Sequence, residues 1–268
     1  MKYKLFISDF DGTLGKAPGY VANEDLIAIK EYEEKGGIFA ICTGRMFCSI
    51  QSICNQYGLD GVVASYQGAM IKHTKTGETL FNGGLDKETT LEITQSFLDE
   101  GLQTVVDIED VLYYQKQDAY IEFYEKACKV KGVLVPDLIE FVKKAKGQVS
   151  KVCAICDEEV SKRLTPIYND RYKGKKMIFN NGSNRLIEAI NPKCSKNFAV
   201  RFLADYYKIP LDQVIVVGDS TNDKEMVSGP WYSVAVGDGS EQLKEMVNEV
   251  TVDFKDHPVS TLLRKYCI

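Results

Sequence analysis

Three short apolar runs, far apart in the chain, each stop abruptly at small, hydroxyl or acidic residues, and this shared ending constrains the fold more than any other feature. Lys4-Leu5-Phe6-Ile7-Ser8 runs into Asp9-Phe10-Asp11-Gly12-Thr13, and Ile38-Phe39-Ala40-Ile41-Cys42 into Thr43-Gly44-Arg45. Val214-Ile215-Val216-Val217 runs into Gly218-Asp219-Ser220-Thr221-Asn222-Asp223. A continuous short apolar run reads as a parallel strand buried on both faces. In open α/β sheets the ligand site lies outside the carboxyl ends of such strands. One ending of this kind is an ordinary strand-to-turn junction, since Asp-Gly is a frequent turn pair. Three that end alike predict one shared site.

In extended chain Asp9 and Asp11 project from the same face, because side chains alternate with period two. Carboxylates held that close repel, and a cation or a shared proton relieves them. A hard dication with oxygen ligands suits the pair.

Between the first two runs a helix carrying Leu26, Ile29 and Tyr32, capped by Asn23, ends at Gly36-Gly37. A second helix has Met46, Ile50, Ile53 and Tyr57 on one stripe and closes at Gly58, and Gly61–Ser65 reads as a strand. This alternation predicts parallel strands joined by right-handed crossovers.

The texture changes near Asn82-Gly83-Gly84. Asp86 caps a helix with Leu91, Thr94, Phe97 and Leu98; residues 104–115 read as strand segments, 137–146 as a helix and 149–156 as a strand. A helix with Val160, Leu164, Ile167 and Tyr168 follows, then a hairpin of 176–180 with 185–190 around Asn181-Gly182-Ser183. Asn191-Pro192-Lys193 leads to a helix from Ser195 bearing Phe198, Phe202, Leu203 and Tyr206. After the third site strand come a strand at 233–236 and helices near 242–247 and 259–266. The expected division is core 1–82, an inserted αβ domain 83–188, and core 189–268.

With 268 residues, 44% of them hydrophobic, the chain suits one large or two ordinary domains with a real core, and disorder is excluded. The balance of 33 basic against 38 acidic residues, net −5, gives nucleic acid no basic face as a main partner. No run approaches the roughly 20 apolar residues of a membrane span, and Asp9 comes too early for a signal peptide. Several cysteines sit inside apolar runs as small hydrophobes, so a reducing, cytoplasmic setting is expected. Cys153-Ala-Ile-Cys156 has redox or zinc half-site spacing, yet no second pair accompanies it and its flanks read as strand. His73 and His257 are too isolated to act together, and Gly237-Asp238-Gly239 is a turn rather than a nucleotide loop.

Asp9-Phe10-Asp11-Gly12-Thr13, Thr43-Gly44-Arg45, Lys196 and Gly218–Asp223 together resemble the four-motif set of the haloacid dehalogenase superfamily. Their order and spacing are similar to those of its Cof-like, class IIB phosphatases, and the likeness spans essentially the whole chain. The resemblance implies an α/β fold: a Rossmann-like parallel-sheet core with an inserted αβ cap domain. It implies a magnesium-dependent phosphatase acting on a small phosphorylated metabolite, a sugar phosphate or cofactor-like monoester, through an aspartyl-phosphate.

In that chemistry Asp9 is the nucleophile. Asp11 protonates the leaving oxygen and then takes a proton from water, so it must hold a proton for part of the cycle. Lys196 neutralises developing charge, and is preferred over nearby Lys193 on the resemblance. Mg2+ is held by Asp9, the Asp11 backbone carbonyl and Asp219. Thr43, Gly44, Arg45 and Asn222 contact substrate, with Asp223 behind them orienting Lys196 or a metal-bound water. Tyr113, Tyr114, Tyr120 and Phe123 are candidate cap walls. A phosphomutase, or a non-catalytic protein binding a phosphorylated metabolite, stays open on this pattern. Two stretches depart from it. Tyr66-Gln67-Gly68-Ala69 stands where relatives often carry Asn-Gly, and His257-Pro258-Val259 where an acid-Gly-Val turn is usual.

Overall fold

Parallel pairing of the apolar runs builds the centre of the protein. The computed structural model describes residues 1–173, 178–180 and 185–268, the side chains of 178–180 excepted. The chain divides into two compact units, Met1–Leu80 with Ser195–Ile268, and Phe81–Cys194.

In the first unit the elements run β1 (Leu5–Ser8), β2 (Gly15–Lys16), β3 (Tyr20–Val21), α1 (Asn23–Glu34), β4 (Ile38–Cys42), α2 (Phe47–Tyr57), β5 (Val62–Ser65), β6 (Met70–His73) and the start of β7 (Thr79–Asn82). In the second come α3 (Lys87–Asp99), β8 (Gln103–Ile108), β9 (Val111–Tyr114), α4 (Ala119–Cys128), β10 (Val133–Leu134), α5 (Leu138–Lys144), β11 (Val149–Ile155), α6 (Glu158–Arg171), β12 (Ile178–Asn180) and β13 (Leu186–Ile190). The first unit resumes with α7 (Lys196–Tyr206), β14 (Val214–Gly218), α8 (Lys224–Val227), β15 (Tyr232–Ala235), α9 (Glu241–Lys244), β16 (Glu249–Val250) and α10 (Pro258–Tyr266).

The main sheet has the order β16-β15-β14-β1-β4-β5-β6-β7. From β1 the chain builds outward through β4 and β5, and on its return it builds the other way from β14, so β1 and β14 flank the switch in strand order. Ser8 pairs in parallel with Val217 on one side and Ile41 on the other, and Cys42 with Ala64. Asp9, Thr43 and Asp219 therefore leave the sheet at the same edge, where ligands of open α/β sheets sit. Leu5, Phe6, Ile7 and Val214 through Val217 are completely buried, as strands covered on both faces must be.

α1 buries Ala28, Ile29 and Tyr32, and α10 buries Val259, Leu262 and Leu263. Each buried Val, Leu or Ile among them contributes about 1.5–3 kcal/mol on burial. Asp25 ties the two helices by accepting the Ser260 amide at 2.8 Å. Asn23 is not the cap expected of it: Ala22 holds the N-cap position with no side-chain bond, and Asn23 is already helical. α10 starts at Pro258 behind His257, whose φ of 60 meets the left-handed entry without glycine. α2 closes at Gly58 in the left-handed conformation, as expected.

β6 and β7, absent from the sequence reading, extend the sheet, β6 running antiparallel to β5 across the tight turn Tyr66–Gly68. α7 also turns a different face inward than its aromatic residues suggested. Lys196, Ala199, Val200, Leu203 and Ala204 are buried. Phe198, Phe202 and the exposed Tyr206 instead line up as a ladder with centroid spacings of 5.9 and 6.4 Å. On the inner face Ala199 lies close to Gly68.

The second unit is a sheet of order β10-β9-β8-β11-β13-β12 with a core of Ile93, Phe97, Val106, Leu138, Val152, Tyr168 and Ile187. Asp86 and Asp137 cap α3 and α5 through their side chains. α4 escaped the sequence reading although Asp118 caps it. On the opposite sheet face Lys151 Nζ bonds Glu188 Oε1 at 2.7 Å and the Tyr124 hydroxyl at 3.2 Å. Cys156 belongs to the core face while Cys153, an odd number of positions away, points with Lys151, so the two thiols are not one site. Tyr113 packs on Phe141 at 4.4 Å, Tyr114 donates to Gln117, and Tyr120 and Phe123 flank the Arg185 guanidinium. β12 and β13 pair antiparallel, and the turn expected at Asn181-Gly182-Ser183 lies outside the described residues. No helix among the described residues is long and apolar enough to cross a membrane.

Candidate active site

The α7 helix begins where Ser195 caps it by accepting the Phe198 amide at 3.2 Å, and this aims the first helical side chain, Lys196, at the sheet edge. Lys196 Nζ donates to Asp9 Oδ1 and to Asp223 Oδ1, both at 2.6 Å. The three side chains are 1%, 5% and 0% exposed. Asp223 Oδ2 in turn accepts the amides of Asp219 and Ser220, both at 3.1 Å, and Ser220 and Asp223 form a reciprocal capping box. Asp223 therefore holds Lys196 with one oxygen and shapes the loop after β14 with the other.

Asp219 completes the cluster. The Thr13 hydroxyl donates to its Oδ1 at 3.1 Å. Gly12 has φ of +86, and a Cβ there would lie 2.5 Å from Asp219 Oδ2, so both conformation and space demand glycine. Burial first, then the Asp223 charge, pushes the Asp219 carboxyl up to about 7. Burial and the Asp223 charge likewise drive Asp9 well above the ordinary carboxyl range, with Lys196 offsetting part. Burial works against the Lys196 ammonium, yet Asp223 and Asp9 overcome it and the amine is raised. The amine's direction follows from several carboxylates sharing one ammonium, while the carboxyls are raised first by burial and then by one another. The buried Cys42 thiol nearby is pushed up to about 12, first by burial, and stays an inert neutral group.

Asp9, Asp219 and Asp223 each offer an oxygen within 4.8 Å of the others. With all three ionised beside one ammonium the cluster carries −2, which a divalent cation would neutralise, and its donors are the hard oxygens that Mg2+ prefers. Asp223 has both oxygens engaged. Asp9 and Asp219 each keep one that no hydrogen bond occupies among the described residues. The residues fit a hard dication.

Asp11 lies apart from this cluster. Its carboxylate takes Arg45 Nε and Nη2 in a bidentate pair at 2.7 Å, and the guanidinium also stacks over Phe10 at 4.9 Å. Arg45, expected to reach substrate, is committed to Asp11 here, and both Asp11 oxygens are occupied. Thr43 is buried and its hydroxyl accepts the Arg45 amide at 3.2 Å. Asn222 accepts the Ser220 hydroxyl at 2.6 Å. Lys193 is exposed and elsewhere in its loop, donating its amide to Asn191. Sequence reasoning passed over Gln67, whose carboxamide lies against Gly44; its only signal was the departure from Asn-Gly.

A profile of haloacid dehalogenase-like hydrolases matches residues 6–263. The chain is 23% identical over 272 residues to the 5-amino-6-(5-phospho-D-ribitylamino)uracil phosphatase YitU of Bacillus subtilis, covering 98% of this chain and 97% of that one. Among solved structures it is similar to a HAD/COF-like hydrolase of Plasmodium vivax, with TM-score 0.87, 27% identity and coverage of 98% and 95%. It shares the fold of a HAD subclass IIB sugar phosphatase at TM-score 0.82 and 17% identity, over 98% of each chain.

Proposed function

Because the chain belongs to the haloacid dehalogenase-like hydrolases, we propose that it hydrolyses a small phosphate monoester, with Mg2+ as cofactor, through an aspartyl-phosphate on Asp9. The observation that carries this reading is Lys196 bonded at 2.6 Å to Asp9 and Asp223, with Asp219 in the same buried cluster. A sensor has no need of a buried carboxylate kept short of counter-charge at a strand end.

Asp9 attacks phosphorus while the ester bond to the leaving oxygen breaks; water then attacks the acyl phosphate and returns Asp9 as a carboxylate. Lys196 holds Asp9 in place and neutralises charge on the transferred group. The Thr43 hydroxyl and the Gly44 amide bind phosphoryl oxygens. Asp11 supplies the leaving group's proton and recovers one from the attacking water. Since Arg45 occupies both Asp11 oxygens, that proton transfer begins with the guanidinium letting go. Asp9 and Asp219 would hold Mg2+, which when bound offsets the like charges of carboxylate and phosphate and polarises the phosphoryl group.

The inserted unit Phe81–Cys194 serves as a cap, and the substrate is a phosphorylated metabolite, as the ribitylaminouracil phosphate of the Bacillus relative and the sugar phosphate of the subclass IIB protein are. A panel of phosphorylated metabolites, read by released inorganic phosphate with Mg2+ or with chelator, tests the reading. Release from at least one small monoester, lost with chelator and in D9N, is expected; a D9N protein that keeps its rate refutes it.

A further inference from the structure

Gln67 is 4% exposed, and neither Nε2 nor Oε1 of its carboxamide has a hydrogen-bond partner among the described residues. A primary amide stripped of water and left unpaired at both ends is costly, and folded proteins seldom keep one without a use for it. The backbone adds to the cost. Tyr66 and Gln67 both sit in the left-handed region, at φ 51 and 58, where residues with a β-carbon are strained.

The turn that carries this amide is anchored on both sides to the site. The Tyr66 amide donates to the Arg45 carbonyl and the Gln67 amide to the Thr43 carbonyl, each at 3.0 Å. Gly68 lies against the carbonyl of Ser195, the residue before Lys196; a Cβ there would be 2.5 Å from that oxygen. One three-residue turn thus spans from the Thr43-Gly44-Arg45 motif to the start of the lysine helix. The Gln67 carboxamide rests on the Gly44 α-carbon, where a β-carbon would lie 2.6 Å from Nε2. Gly44 is therefore small where Gln67 needs the space.

We infer that Gln67 is a substrate-binding residue: Nε2 donates to an oxygen of the phosphoryl group held at Thr43-Gly44, and Oε1 accepts from a hydroxyl or amine of the substrate beside it. The identity of the bound group rests on the phosphatase reading above. A carboxamide carries no charge, so this contact adds a donor and an acceptor without adding to the charge of the cluster.

The test compares wild type with Q67L, a branched apolar side chain one bond shorter that removes the polar atoms, and Q67G, which suits the left-handed backbone. Inorganic phosphate in the presence of Mg2+ is the binding probe, read by calorimetry, and p-nitrophenyl phosphate hydrolysis gives kcat/KM. Phosphate affinity and kcat/KM fall about tenfold or more, as for a lost hydrogen bond, while the Q67L unfolding midpoint is no lower than wild type because an unpaired buried amide has gone. Unchanged phosphate affinity in both variants overturns the inference, as does a wild type that binds no phosphate. A lowered midpoint with binding intact makes Gln67 structural and also overturns it. A wild type that binds phosphate but turns over no monoester sinks the phosphatase reading, and the affinity comparison still decides Gln67. Should D9N be inactive while the Gln67 variants match wild type, only the Gln67 inference falls.

Discussion

Replacing Lys196 with methionine probes the electrostatics of the site directly. Methionine fills much of the space of the aliphatic stem and removes the ammonium that sits 2.6 Å from both Asp9 and Asp223. Removing one partner of a buried ion pair costs about 3–5 kcal/mol. Here two carboxylates lose their counter-charge together, so the upper half of that range is expected. At about 1.4 kcal/mol per factor of ten, folding weakens by roughly a thousandfold. Trp231, the chain's one tryptophan, is buried in the same unit and donates to the Met226 carbonyl at 2.7 Å, so its fluorescence in urea reports on that unit. Buffers contain chelator, so that no metal masks the loss.

The deficit also has a sign in pH. With Lys196 in place, burial and Asp223 already raise Asp9 well above its ordinary value, and K196M raises it further. A carboxyl whose folded pKa exceeds its unfolded one weakens the fold as pH rises through the interval between the two values. Below that interval both states are protonated and nothing is lost; above it both are ionised and the loss is complete. The K196M deficit against wild type is therefore greatest at pH 8 and shrinks toward pH 5, and K196M/D223N recovers part of it. A deficit under about 1 kcal/mol at pH 8, or one equal at pH 5 and 8, would refute the reasoning.

Two further outcomes concern the cation. Asp219, raised to about 7 by burial and Asp223, makes metal-free protein lose stability as pH rises through the range between the unfolded carboxyl value and about 7. Mg2+ binds the ionised form, so the Tm rise it produces is larger at pH 8 than at pH 5 and disappears in D219N; a D219N protein with a wild-type Mg2+ response counts against Asp219 as a ligand. G12A places a β-carbon 2.5 Å from Asp219 Oδ2 at φ +86, which costs about 1–3 kcal/mol. It also displaces the carboxylate, so its Mg2+-induced Tm rise is diminished; a full-sized rise shows that Asp219 does not need the glycine.

Local signals in the chain were read well wherever the physics is local. β1, β4 and β14 were legible because each is an unbroken apolar run buried on both faces, and the Asp86 cap and the helix starts near 137 and 195 because the bonds that open a helix reach only three positions along the chain. Asn23 failed as a cap although its type was right, because the helix starts one residue earlier than expected, at Asn23 itself, which leaves Ala22 at the cap position. α4 was missed in a stretch rich in aromatics, where Tyr120 and Phe123 drew notice as possible walls rather than as helical residues. α7 showed its aromatics in the sequence, but its buried face follows the neighbour it packs against, where Ala199 lies close to Gly68.

The chain alone determined which chemistry is on offer: carboxylates, a hydroxyl and a lysine at the ends of strands and the start of a helix. Tertiary structure decided who meets whom. Lys196 reaches Asp9 across 187 positions, Arg45 turns to Asp11 rather than outward, and Gln67 comes to rest on Gly44. Those pairings depend on the strand order about β1 and on how closely helices and turns approach its edge, and no window of neighbouring residues contains that information.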